Sequence, residues 1–136
     1  MLRLKSINIL TLILLLNIFL TGCQKESTNG ELDGQWQIIS VSPSVTDPVI
    51  SGNLYMNFYR SVCQLSFYDD AFAPGTLEYN GSSLTLHFPY NDLNEVGDAF
   101  KEYGIYSNPV TFDVSFPSKH KMILKNQEAT VYLRKY

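Results

Sequence analysis

The chain has 136 residues, with 10 Lys+Arg against 13 Asp+Glu and a formal net charge of −3. This acidic balance argues against nucleic acid as a partner and against an electrostatic membrane patch. The length fits one domain with a modest core, and 13% aromatic with only 17% charged residues is the composition of a β-rich fold.

Met1 to Ser6 carries two positive charges, Arg3 and Lys5, and Ile7 to Leu20 is apolar except for Asn8, Thr11 and Asn17. As a helix this apolar run rises roughly 21 Å, short of the ~30 Å hydrocarbon core, so a permanent span is the poorer reading. Leu20-Thr21-Gly22-Cys23 follows, with small residues where a signal peptidase needs room. The segment resembles the bacterial lipoprotein signal, whose lipobox ends in a small residue, Gly and Cys. By that resemblance residues 1–22 are removed and Cys23 becomes the acylated first residue of the mature chain. Cys23 to Tyr136 is 114 residues, with eight Lys+Arg against thirteen Asp+Glu and a net charge of −5. Cys63 is then the only free thiol, and no internal disulfide can form. Its alternation with Leu65 and Phe67 makes it a small apolar core group.

Gln24 to Leu32 is polar and reads as a flexible tether, ending with Asp33. Its Gln24-Lys25-Glu26 start resembles, incompletely, the export signals of Bacteroidetes-type surface lipoproteins. Gly34 to Ser42 is the first strand. Trp36 and Ile38 share one face while Ile39 and Val41 share the other, which predicts a bulge or burial on both sides. Pro43 to Gly52, with two prolines among Ser, Thr and Asp, is a loop. Leu54, Met56 and Phe58 then alternate with polar neighbours, as do Cys63, Leu65 and Phe67, with Arg60 and Ser61 at the turn between the two strands. Asp69 to Pro74 reads as a loop.

Tyr79-Asn80-Gly81-Ser82 predicts a two-residue hairpin turn, since Asn-Gly tolerates positive φ. In that register Tyr79 faces Ser82 and Leu77 faces Leu84, and Leu77, Leu84 and Leu86 share a side. From Asn91 to Tyr103 the period changes. Leu93, Val96, Phe100 and Tyr103 form one helical face, with Asp92 and Glu95 at capping-box spacing and Gly104 as a left-handed stop. Val110, Phe112, Val114 and Phe116 form a one-face-buried strand interrupted by Pro117. His120 to Lys125 and Glu128 to Tyr136 predict a last hairpin around Asn126-Gln127, with Leu124 opposite Ala129, Met122 opposite Val131 and Lys125 opposite Glu128.

Few residues stand at a spacing that carries chemistry. His87 and His120, the two histidines, have no Cys, His or carboxylate at metal-ligand spacing. Asp69-Asp70 read as a turn, and Glu95, Asp98 and Glu102 as a solvated helix side. Asn91 to Glu95 fails the calcium-loop pattern. No phosphate loop or nucleophile elbow is present, so no catalytic residue, metal site or cofactor is expected.

Gly34-Gln35-Trp36 on the first strand and Arg134 on the last, with about eight strands and one helix between, resemble the small lipocalin-like domains of Bacteroidetes lipoproteins. Lipocalins carry Gly-x-Trp on strand one and a late basic residue that covers the Trp at the closed end. Here Arg134 has the opposite parity to Val131 and Leu133, and the helix stands between strands. The resemblance implies an all-β fold, an antiparallel up-and-down barrel over residues 34–136 with one inserted α-helix. It also implies an interior lined by Trp36, Met56, Phe58, Leu77, Leu84, Leu86, Phe112 and Val114. The implied protein is a non-catalytic lipoprotein of the cell envelope, at the outer membrane, binding a small apolar or aromatic ligand. The alternative is a structural subunit that meets a protein or glycan partner.

Overall fold

The structure, a computed structural model, describes residues 29–43, 53–67, 70–91 and 98–136, together with Ile9, Thr11 and Ile13. Cys23, most of the leader's apolar run, the expected cap at Asp92 and Glu95 and the helical positions Leu93 and Val96 lie outside the described residues, as does most of the Pro43–Gly52 loop. Eight strands follow one another around a closed antiparallel barrel. They are β1 (Gly34–Ser42), β2 (Leu54–Tyr59), β3 (Val62–Phe67), β4 (Asp70–Tyr79), β5 (Ser83–His87), β6 (Val110–Ser118), β7 (Lys121–Lys125) and β8 (Thr130–Lys135). The β1–β8 ladder closes the ring, so no strand is left as an edge.

Alternation places the core. Leu54, Met56 and Phe58 on β2 are buried, as are Leu84 and Leu86 on β5 and Met122 and Leu124 on β7. Around the barrel, Trp36 pairs with Met56, Met56 with Leu65 and Leu65 with Ala73, so one inward layer is built from four successive strands. The bulge expected in β1 is present: the β1–β8 register shifts between Ile38 and Ser40, which turns Ile39 outward while Trp36 and Ile38 stay inside.

Several expectations are corrected. The polar stretch before β1 does not stay a tether to its end. Gly30–Leu32 is a 3-10 turn (η1), Leu32 is fully buried, and Asn29 bonds the Asp33 carboxylate. One large apolar residue is enough to dock the turn against the barrel. Asp69 lies outside the described residues, but Asp70 to Pro74 is not a loop, because β4 starts at Asp70 and runs through Pro74. A register shift opposite Leu65 and Ser66 adjoins the proline, the kind of irregularity where a missing N–H is tolerated. At the end of β3 the strict alternation breaks: Ser66 is buried and Phe67 is 37% exposed. Pro117 does not interrupt β6, which reaches Ser118 with its register shifted between Ser115 and Ser118.

Both hairpin registers are off by two. Tyr79 faces Leu84 and Leu77 faces Leu86; Leu124 faces Val131, Met122 faces Leu133, and Lys125 faces Thr130. Each loop is longer than the expected turn, and an asparagine closes it. Asn80 Oδ1 accepts from the N–H groups of Ser82 (3.0 Å) and Ser83 (2.8 Å). Asn126 Oδ1 accepts from those of Glu128 and Ala129, both at 2.9 Å. The side chain replaces a backbone turn bond. A shift of two preserves the faces, so Leu77, Leu84 and Leu86 are still buried together.

Candidate functional site

For a ligand the sequence points to the barrel interior, and the structure brings its inward residues together. Trp36, Met56, Leu84, Leu86 and Phe112 are 0% exposed; Phe58 and Leu77 are buried; Val114 is half-buried and packs against the same core. A side chain with no accessible surface touches neither solvent nor a water-sized void. Around these residues the interior is therefore filled by side chains, as small barrels permit.

The floor is the end where β1 begins and β8 ends. Trp36 donates its Nε1–H to the Leu32 carbonyl at 2.8 Å, so η1 satisfies the one polar atom of a buried ring. Lys135 covers the ring face, with Nζ 4.6 Å from its centroid, and also donates to the carbonyls of Glu31 and Asp33. Burial lowers the Lys135 pKa, while the nearby Asp33 and Glu31 carboxylates oppose that shift. Gly34 leaves room for this lysine, since a Cβ there would meet Lys135 Cε and Nζ, each at 2.8 Å. Phe116 tilts against Trp36 at 6.1 Å between centroids.

Arg134 is not the residue that covers Trp36. It is exposed and donates to the Gln37 side chain outside the barrel. Its parity carried that signal, because on β8 the inward residues are Val131 and Leu133. Sequence reasoning missed Lys135, one position further, where the strand ends and a long side chain can fold under the barrel.

The roof is built from the connection between β5 and β6. Phe88, Phe100, Tyr103 and Ile105 are buried, and Phe88 and Phe100 meet edge to face at 5.1 Å. Residues 98–101 are helical, and Gly104 (φ 77) ends the turn as expected. Tyr103 donates its hydroxyl to the Ser66 carbonyl at 2.8 Å, tying the roof to the end of β3. Burial, with Glu102 adding to it, holds this phenol well above the usual tyrosine range. Asn108 donates its Nδ2 to the carbonyls of Phe88 and Asn91 and accepts from the Phe88 N–H, pinning the two ends of the connection together.

Little else has chemical character. Burial pushes the Cys63 thiol up to about 12, the inert end of cysteine behaviour. His87 and His120 are exposed. Among the described residues no three of His, Cys, Asp or Glu come together as a metal site would require. Outside the floor, Asn29, Glu31, Tyr79, Asn80 and Phe116 border an open cleft of about 560 Å³. Its amides are already occupied by Asp33 and by the β4–β5 turn.

A family model described as a lipocalin-like domain matches residues 18–136. Among solved structures, the chain is similar to a lipocalin-like protein from Bacteroides uniformis, with 16% identity over 79% of this chain and 100% of that one and a TM-score of 0.60. It is also similar to an uncharacterised protein from Bacteroides eggerthii, with 15% identity over 77% and 99% of the two chains and a TM-score of 0.58. No curated protein matches. At such identities the solved structures speak for the fold alone, and they agree with the closed eight-strand ring. With Gly34 and Trp36 on strand one, a lysine under the floor and a family match over most of its length, the chain belongs to the lipocalin-like domain family.

Proposed function

We propose that the mature protein is a lipid-anchored, non-catalytic binding module of the cell envelope, held at the outer membrane by acyl chains on Cys23. Its barrel acts as a rigid scaffold for a protein or glycan partner. The observation that supports a partner on the outside is the packing: Trp36, Met56, Leu84, Leu86 and Phe112 leave no water-sized space beside them. The outer surface carries the aromatic side chains instead, with Tyr90 beside the roof and Tyr132 on β8 exposed and Tyr55 edge-on to Tyr136 at 5.2 Å. Exposed tyrosines offer apolar area with a hydrogen-bonding tip, which suits protein and sugar surfaces.

The second reading is a small apolar or aromatic ligand held inside, and the family's barrel with its largely apolar buried residues favours it. That reading requires Phe100, Tyr103 and Ile105 to withdraw, because these residues occupy the roof. Trp36, the only tryptophan, separates the two. Titration of the mature chain, kept in aqueous solution without its lipid, with fatty acids, sterols and aromatic glycosides is expected to leave Trp36 emission unchanged. A saturable shift with any of them would overturn the partner reading in favour of the interior ligand. Anchoring is tested separately: metabolic labelling with a tagged fatty acid marks the wild type and is lost in Cys23→Ala.

A further inference from the structure

The acidic net charge conceals a division between the two ends of the barrel. At and beside the floor-end strand termini stand Arg60, Lys119, Lys121, Arg134 and Lys135. Among the described residues the carboxylates there are Glu31, Asp33 and Glu78. At the roof end the sign reverses among the described residues, with Lys101 and Lys125 against Asp98, Glu102 and Glu128. Arg60, Lys119 and Lys121 are exposed on the floor-end hairpin tips, and no ion pair among the described residues engages them. Beside Arg60 the same tip exposes Tyr59 (60%) and Val62 (51%), and the guanidinium lies over the Tyr59 ring at 5.3 Å.

Chain length supplies the second observation. Asn29 donates its Nδ2 to the Arg60 carbonyl at 2.7 Å, fixing this point of the chain to that same tip. From Cys23 to Asn29 is six residue steps, at most about 20 Å of extended chain. An acyl group on Cys23 therefore keeps the floor, rather than the acidic roof, next to the bilayer.

We infer that the floor end docks on an anionic lipid surface, with Arg60, Lys119 and Lys121 meeting the headgroups and Tyr59 and Val62 seated in the interfacial layer. The inference rests on acylation of Cys23. The tether makes docking intramolecular, so a few cations suffice where a free acidic protein would not bind. Tyrosine suits the boundary between headgroup and acyl chain. The partner-binding wall and roof are thereby presented away from the membrane.

The test uses the full lipidated chain in vesicles carrying a headgroup-attached spin label, with Trp36 at the floor as the reporter. Phosphatidylcholine vesicles are compared with mixed phosphatidylcholine–phosphatidylglycerol vesicles. Quenching is expected to be at least about twofold stronger with phosphatidylglycerol and to fall at about 1 M salt, where the screening length shrinks to about 3 Å. Lys119→Glu with Lys121→Glu should abolish the phosphatidylglycerol effect, while Glu128→Lys at the roof should not. Unchanged thermal unfolding of the variants excludes misfolding. Quenching that is indifferent to phosphatidylglycerol, salt and floor charge, in a chain that still floats with the vesicles, would overturn the docking and leave the anchor standing. A wild-type chain that fails to float with phosphatidylcholine vesicles would overturn the anchor, and the docking with it.

Discussion

The floor closes with a buried tryptophan under a cation, using residues from opposite ends of the chain; the roof closes with a local insertion between two adjacent strands. At the floor, Lys135 reaches the carbonyls of Glu31 and Asp33 across more than a hundred residues of sequence, and η1 adds Leu32 from below. At the roof, Phe88, Phe100, Tyr103 and Ile105 are buried, a hydroxyl bond ties Tyr103 to Ser66, and Asn108 pins the two ends of the connection together. The floor is thus a long-range closure that forms only when the ring is complete. The roof is a plug that can be perturbed without opening the ring.

Trp36→Ala should have the largest effect. It removes the largest fully buried side chain, together with its bond to Leu32 and the ring under Lys135. A loss of about 3–5 kcal/mol in urea-induced unfolding is expected. A smaller loss than for any roof variant would reverse the ranking of the two ends.

The next pair sharpens the contrast through glycine. Gly104 and Gly34 both have positive φ, 77 and 136. At Gly104 an added Cβ meets Val131 Cγ2 at 2.4 Å, a branched methyl held in the core. At Gly34 it meets only the far end of Lys135, which can swing aside. Gly104→Ala should cost about 2–4 kcal/mol and Gly34→Ala about 1–2 kcal/mol, read from denaturation midpoints. Equal costs would mean that the roof yields as readily as a lysine tip.

What the sequence showed and what it hid differ in kind. Strand faces were legible because alternation depends only on the pleat, and the same-face conflict between Trp36-Ile38 and Ile39-Val41 announced the β1 bulge. The ring of eight strands followed from those faces together with the family resemblance. Hairpin registers were misread by two because Asn80 and Asn126 close their loops with side-chain bonds, which a turn-type rule does not weigh. Phe67 and Ser66 were misplaced because a register shift opposite them moves burial without leaving a mark in the apolar pattern. Leu32 was passed over as one apolar residue in a polar run. At the site, inward residues were readable and the filling of the interior was not, since volume depends on how eight strands and a connection meet.

Tyr103→Phe probes the hydroxyl bond that ties the roof to β3. It leaves the buried Ser66 carbonyl without its donor, so a loss of about 1–3 kcal/mol is expected. The wild type should also lose stability at alkaline pH through this group. The folded-state pKa lies above the ordinary value of about 10, so the folded protein keeps the proton that the unfolded chain releases. The contribution is therefore fully present below pH 10 or so and declines as pH rises beyond it. The difference in stability between wild type and Tyr103→Phe should shrink over that range. A difference that stays flat would show that the hydroxyl is not protected in the folded roof.

The smallest effect separates two neighbouring cations and tests the floor directly. Lys135 and Arg134 adjoin on β8, yet only Lys135 lies over Trp36, while Arg134 bonds Gln37 outside. Lys135→Met keeps much of the stem that covers the ring and removes the charge and its two carbonyl bonds. Its cost should be on the order of 1 kcal/mol or less, because the ammonium is only partly buried and exposed cation–π pairs are weak. Spectroscopy is the sharper readout. Lys135→Met should shift Trp36 emission, and Arg134→Met should not. Burial lowers the Lys135 pKa below its ordinary value, so the proton leaves earlier on the alkaline side than from a free lysine. Wild-type Trp36 emission should then carry an alkaline transition that Lys135→Met lacks and Arg134→Met retains. If the transition instead follows Arg134→Met, the floor is closed by the other cation, and the clearance provided by Gly34 for Lys135 would have to be reinterpreted.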